Sequence, residues 1–125
     1  MASFAARTVL LEFQDCSADR ISSGEALEAA LREAFSDEEV RHMIVLSDAA
    51  GLRALLAGET RQVSVFTRPA DRFAAADILF LREEKDRSRL FNALRRVFNA
   101  KAFLSMDIRR GNSSARPGME KAGKG

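Results

Sequence analysis

Apolar residues recur along the chain in short blocks separated by polar and glycine-containing breaks, and the spacing inside each block predicts an element. Residues 8–13 (TVLLEF) form a β-rich run, and the polar QDCSADRISSG after it has the composition of a loop. Ser22 and Glu25 make a capping-box pair, after which Leu27, Ala30, Leu31, Ala34 and Phe35 share one face at helical spacing. Ser36 and Glu39 repeat the capping pattern in an acidic turn. The near-continuous apolar run 42–47 (HMIVLS) then suits a strand covered on both faces. Asp48 predicts a helix cap, Leu52, Leu55 and Leu56 one helical side, and Gly58 its C-terminal glycine.

Residues 62–67 (QVSVFT) read as a third strand, stopped at Arg68-Pro69 because proline has no amide hydrogen for a ladder. A linker over 70–76 has room for one helical turn, and 77–81 (DILFL) read as a buried-type strand. Asp86 or Ser88 opens a last helix striped by Leu90, Phe91, Leu94, Val97 and Phe98. Residues 103–108 (FLSMDI) alternate like an edge strand with one wet face. Continuous apolar strands separated by amphipathic helices need cover on both sides. The expectation is therefore an α/β fold, a three-layer sandwich with a mostly parallel central sheet of about five strands. No internal repeat is visible, which removes solenoids and propellers.

Composition narrows this picture. With 125 residues, 46% of them hydrophobic and 30% charged, the chain has material for one compact core and is not a disordered polymer. Arg7 and Glu12 interrupt the N-terminal apolar run, so neither a membrane span nor a secretory signal is expected, and the expected compartment is cytoplasmic. The net charge of +2 is unevenly spread. Residues 110–125 carry a net +3, from Arg110, Arg116, Lys121 and Lys124 against Glu120, and the rest is nearly neutral. Residues 1–109 are thus read as a single domain and 110–125 as a flexible basic tail. Through that tail a weak, salt-sensitive contact with nucleic acid is the only such binding expected.

Candidate chemistry is sparse. One cysteine, Cys16, and one histidine, His42, exclude a closed zinc site and an internal disulfide. Asp15, Cys16, Asp19, Ser47, Asp48, Thr67, Arg68, Arg82, Glu83 and Glu84 fall at expected strand ends, where parallel sheets bind ligands. Of these, Asp15, Asp19 and Asp48 could hold Mg²⁺ if they converged; Asp48 also sits where a helix cap is wanted. Cys16 and His42 lack sequence partners for catalysis. Residues 118–124 have P-loop spacing, but glycine replaces the hydroxyl residue and no strand precedes them. Asn112-Ser113-Ser114 is a glycosylation sequon only in a secreted protein. Arg89 and Arg96 mark a positive flank of the last helix, with Asn92 and Asn99 adjoining.

Two resemblances attach to particular residues. The helix GEALEAALREAF, the strand VRHMIVL and Asp48-Ala49-Ala50-Gly51-Leu52 resemble the STAS (anti-anti-sigma) type of bacterial signalling domain. The resemblance implies that Ala49 and Ala50 stand in its phosphorylatable serine region, with loss of phosphoswitching. Asp15, Asp19, Asp48 and Thr67-Arg68-Pro69 are similar to a response-regulator receiver, with arginine in place of its lysine, implying a degenerate phosphoacceptor. The function expected on these grounds is a non-enzymatic protein-interaction module in bacterial regulation or assembly, without a cofactor. It would contact another protein through Asp48, Leu52, Arg89 and Arg96. A receiver-like or Mg-binding domain using Asp15, Asp19 and Asp48 is the alternative. A homodimer through the edge strand from Phe103 to Ile108 is a further expectation.

Overall fold

The computed structural model describes residues 6–36, 40–84 and 86–110. Six strands and three helices follow one another as β1 (Arg7–Gln14), α1 (Ala18–Ile21), α2 (Gly24–Ala34), β2 (His42–Asp48), β3 (Gly51–Ala57), β4 (Arg61–Arg68), β5 (Phe73–Phe80), α3 (Arg87–Phe98) and β6 (Ala102–Arg109). One sheet contains all six strands in the order β2-β3-β4-β5-β1-β6, and every neighbouring pair is antiparallel. The parallel three-layer sandwich expected from the sequence is therefore corrected to a two-layer, antiparallel arrangement. β5 and β6 run in the same direction, but β1 lies between them, so α3 crosses over a strand rather than joining direct neighbours.

The principal misreading is local. Residues 48–58 were expected to form a helix from Asp48 to Gly58, and they form a tight turn followed by β3. Leu52, Ala54 and Leu56 face the core while Arg53, Leu55 and Ala57 face outward, a period of two. Leucine and alanine are strong helix formers, but β2 and β4 lie on either side and satisfy this backbone as a ladder. Asp48 and Gly51 close the β2–β3 hairpin as a register pair, with Ala49 and Ala50 between them. The Asp48 carboxylate accepts the Ala50 amide at 2.9 Å, the local bond that makes aspartate a turn residue. Gly51 has φ +145°, and a Cβ there would lie 2.1 Å from the Thr67 carbonyl oxygen. Only glycine permits this approach.

Other elements follow the pattern closely. α2 starts one residue later than the Ser22 pattern implied: Ser23 is the N-cap, its hydroxyl accepting the Ala26 amide at 3.1 Å. Leu27, Ala30 and Leu31 form its buried stripe, and Leu90, Leu94, Val97 and Phe98 that of α3. Both stripes pack on the sheet side formed by Val9, Leu11, Phe13, Ile78 and Phe80. Phe13 meets Phe98 edge-on at 5.3 Å between ring centroids, locking β1 to α3. At the loop after β1, the Cys16 amide donates to the Arg72 carbonyl and the Arg72 Nε donates to the Cys16 carbonyl, each at 2.9 Å. Arg72 takes the left-handed conformation that this clasp requires.

All the described helices cover one face of the sheet. The described residues leave the opposite face uncovered, and β2 is half open rather than buried on both sides. β6 is an edge strand, as expected, with Leu104, Met106 and Ile108 exposed on the uncovered face. No described helix is long and apolar enough to cross a membrane. The tail, its P-loop-like residues 118–124, the sequon at Asn112 and the nucleic-acid expectation lie outside the described residues.

Candidate functional site

The antiparallel register aligns outward side chains of neighbouring strands in rows across the uncovered face. One row contains Ile44, Leu55, Ser64, Asp77, Leu10 and Met106, in order from β2 to β6. Parts of this row and of its neighbour line a trough of about 360 Å³, within the size range of small-molecule sites. Ile44, Leu55 and Leu79 give it apolar walls, and Ser64, Asp77 and His42 place polar groups along them. Among the described residues lining it, Asp77 is the one carboxylate. His42 is the only histidine of the chain. Arg110 also lines it, so the trough combines apolar walls with one anionic and one cationic side chain, a composition that suits a largely apolar ligand bearing charged groups.

Behind the same end of the sheet, on the helix side, is a second polar cluster. Arg61 donates to Glu84 at 2.9 Å, and both side chains are more than four-fifths buried. Arg87 donates to Asp107 at 2.6 Å, and Arg7 reaches the same carboxylate at 3.5 Å. The Arg61 and Arg87 guanidinium carbons each lie 6.0 Å from the Phe80 ring centroid. Arg7, Phe80, Glu83, Glu84 and Arg87 line a cavity of about 260 Å³. The Thr60 carbonyl accepts the Leu81 amide at 2.9 Å, fastening the β3–β4 hairpin to the end of β5. These arginines have carboxylate partners, and the cluster braces the junction of β1, β4, β5 and β6.

The acidic residues singled out in the sequence do not form a cation site. Asp15 ends β1 in a left-handed conformation, Asp19 lies in the first turn of α1, and Asp48 belongs to the β2–β3 turn. Among the described residues, no group of three His, Cys, Asp or Glu side chains is placed to hold a metal ion. Asp48 is held below the usual carboxylate range first by its hydrogen bond from Arg53 and then by the Ala50 amide. Cys16 is buried, its thiol donates to the Phe13 carbonyl at 3.6 Å, and burial pushes its pKa up to about 11. A thiol in that state is a poor nucleophile.

Leu52 lies in the core at 4% exposure, so it offers no contact surface. Arg89 and Arg96 are exposed on α3. Sequence pattern gives Leu55, Leu56 and Arg110 other roles and does not mark Ser64 or Asp77 as site residues, and His42 reads as structural when taken alone. Their signal is the polar alternation of Gln62 and Ser64, together with Asp77 at the head of an otherwise apolar run: both mark strands with one open face.

Comparison with known proteins places this geometry. The family model for S-adenosylmethionine decarboxylase matches residues 7–111. The chain is also similar to the crystal structure of the adenosylmethionine decarboxylase from Aquifex aeolicus VF5, with a TM-score of 0.72 and 16% identity, over 92% of this chain and 98% of that one. No curated protein matches the chain. These findings overturn the STAS and receiver resemblances, and with them the signalling and regulatory interaction role and the degenerate phosphoacceptor alternative. The motifs behind those likenesses belong to a turn and a hairpin of a different fold.

Proposed function

The chain belongs to the S-adenosylmethionine decarboxylase family, and from this premise we propose that it binds S-adenosylmethionine in the open-face trough and removes its carboxyl group. The observation that carries the reading is Asp77, a carboxylate among Ile44, Leu55 and Leu79. S-adenosylmethionine bears a sulfonium and an ammonium against one carboxylate, so it is net cationic and carries a large adenosyl body. Asp77 supplies the counter-charge and the apolar walls take the body.

The same chemistry argues for the trough, lined by one arginine, Arg110, over the cavity lined by Arg7 and Arg87. A departing carboxylate loses its charge in the transition state, so arginines that hold it favour the ground state, whereas apolar walls that exclude water favour departure. In this reading His42, a lining residue of the trough, returns a proton to the carbon that has lost carbon dioxide.

Decarboxylation at this position also needs an electron-withdrawing carbonyl or imine to take up the electron pair, and no unmodified side chain is one. An aldehyde cofactor is held through lysine. The only lysine among the described residues, Lys101, is exposed beyond α3 and does not line the trough, so these residues do not fit such a cofactor. We place the protein in the cytoplasm as part of this proposal.

Two measurements test it together: calorimetric titration with S-adenosylmethionine, and release of labelled carbon dioxide from the carboxyl-labelled compound. The expected result is saturable binding that Asp77→Asn weakens about tenfold, and turnover that His42→Gln lowers while binding persists. Binding without carbon dioxide release overturns the decarboxylase reading, and absence of saturable binding overturns the whole proposal.

A further inference from the structure

The solvent side of α3 carries one sign of charge and nothing apolar. With 3.6 residues per turn, the buried stripe of Leu90, Leu94, Val97 and Phe98 leaves Ser88, Arg89, Asn92, Arg95, Arg96 and Asn99 on the opposite arc, and all six are exposed. The helix has no acidic residue. α2 shows the usual alternative: Arg32 pairs with Glu28 one turn away and Arg20 pairs with Glu33, each at 3.1 Å. Arg89, Arg95 and Arg96 have no carboxylate partner among the described residues. Glu33, Glu84 and Asp86 border the same cleft as Arg89, but Arg20 holds Glu33, Arg61 holds Glu84, and Asp86 accepts the Ser88 hydroxyl.

Folding alone does not account for this face. Arg95 and Arg96 lie in the last turn, where the helix dipole favours cations; Arg89 lies in the first, where the dipole opposes them and an acid would stabilise. The complement of such a face is anionic, and its chemistry narrows the occupant. No residue of α3 is among the exposed large hydrophobics. The helix therefore offers no apolar centre for a folded protein partner and no side chain to insert into a bilayer. Guanidinium groups fork onto phosphate oxygens, and asparagine amides donate to phosphate and sugar. Arg89 and Arg96 are two turns apart, about 10.5 Å along the axis, a length over which one strand of a duplex presents about three phosphates. The arc has no aromatic residue to stack on a base, so its contacts read the backbone and not the sequence.

We propose that the outer face of α3, with Arg89, Arg95 and Arg96 as its phosphate contacts, docks the backbone of duplex nucleic acid without sequence preference. Lys101, exposed just past the helix, extends the positive charge. The surface belongs to the helix layer, on the side of the sheet away from the trough, so the inference does not depend on what the trough binds. It is also separate from the basic residues of 110–125.

The test is fluorescence anisotropy of a short labelled DNA duplex titrated with the full chain across a salt series, with far-ultraviolet circular dichroism confirming the fold of each variant. To remove the other cluster of positive charge, the series is repeated on the full chain carrying Arg116→Gln, Lys121→Gln and Lys124→Gln. That variant is expected to bind still, with log affinity falling against log salt at a slope of about −2.7, the value for three phosphate contacts. Adding Arg89→Gln should reduce the slope by about 1, and adding Arg96→Gln by about 1 more, equally for two duplexes of different sequence. Arg89→Lys, which keeps the charge, should retain most of it. Absence of salt-sensitive binding overturns the proposal, and so does binding that is lost with the tail charges and indifferent to Arg89 and Arg96. Polyglutamate binding more tightly than the duplex at equal charge assigns the face to an acidic protein segment and overturns it. Binding to phosphatidylserine vesicles without binding to the duplex assigns it to a membrane, with the same consequence.

Discussion

Two residues carry constraints that a single substitution exposes. At Gly51 a Cβ would meet the Thr67 carbonyl oxygen at 2.1 Å, and its φ of +145° is strained for any L side chain. Gly51→Ala is therefore expected to cost about 3 kcal/mol, read as a lower urea midpoint with an unchanged slope. Cys16 is a titration probe of the same kind. Its thiol has a pKa near 11 in the fold against 9.0 when free, because burial disfavours the thiolate. A raised folded pKa stabilises fully below the unfolded value and is lost as pH rises through the folded one. The native state should thus lose about 2–3 kcal/mol between pH 9 and 11, and Cys16→Ala should flatten that stretch of the stability curve. Asp48 acts in the opposite sense. Its carboxyl is lowered by Arg53 and the Ala50 amide, so its contribution is present above the ordinary carboxylate range and fades as acid protonates it.

At the scale of elements, residues 48–57 show where sequence pattern failed and why. Leu52, Leu55 and Leu56 fit one side of a helix, yet the strand puts Leu56 in the core at 3% exposure and Leu55 outside at 50%. In dilute solution Leu56→Ala should cost about 3 kcal/mol of folding stability and Leu55→Ala under about 1, an asymmetry that the helical reading does not give. Periodicity could not separate the two because Leu55 and Ala57 make the outward face of β3 apolar beside Arg53, so that period two and period 3.6 overlap. Where only one face is apolar, the pattern was sufficient in the helices: the α2 and α3 stripes stand where the sequence placed them, whereas β6 is an edge strand whose apolar alternates, Leu104, Met106 and Ile108, are exposed. The candidate site was hidden for a related reason. Asp77 looked like the polar start of a strand and Ser64 like an ordinary polar alternate. Only the register that sets Asp77 opposite Ser64 on one side and Leu10 on the other shows that they share an open face. Register is a long-range property, fixed by which strands pair, and no local window contains it.

For the whole molecule, the unequal covering of the strands sets a gradient of stability across the sheet. β1, β4 and β5 lie inside the sheet and each has three or more residues in the core, whereas β2 and β6 are the edges and have no fully buried residue. Local opening needs only the free energy of the contacts it breaks, so edge strands held by one ladder open well below the global limit. Amides of β2 and β6 should therefore exchange with solvent at least about 2 kcal/mol more easily than those of β1 and β5. Hydrogen exchange followed by mass spectrometry should show this order, with the two edge strands exchanging first and β1 and β5 last; equal protection across all six strands would mean that the sheet opens only as one unit.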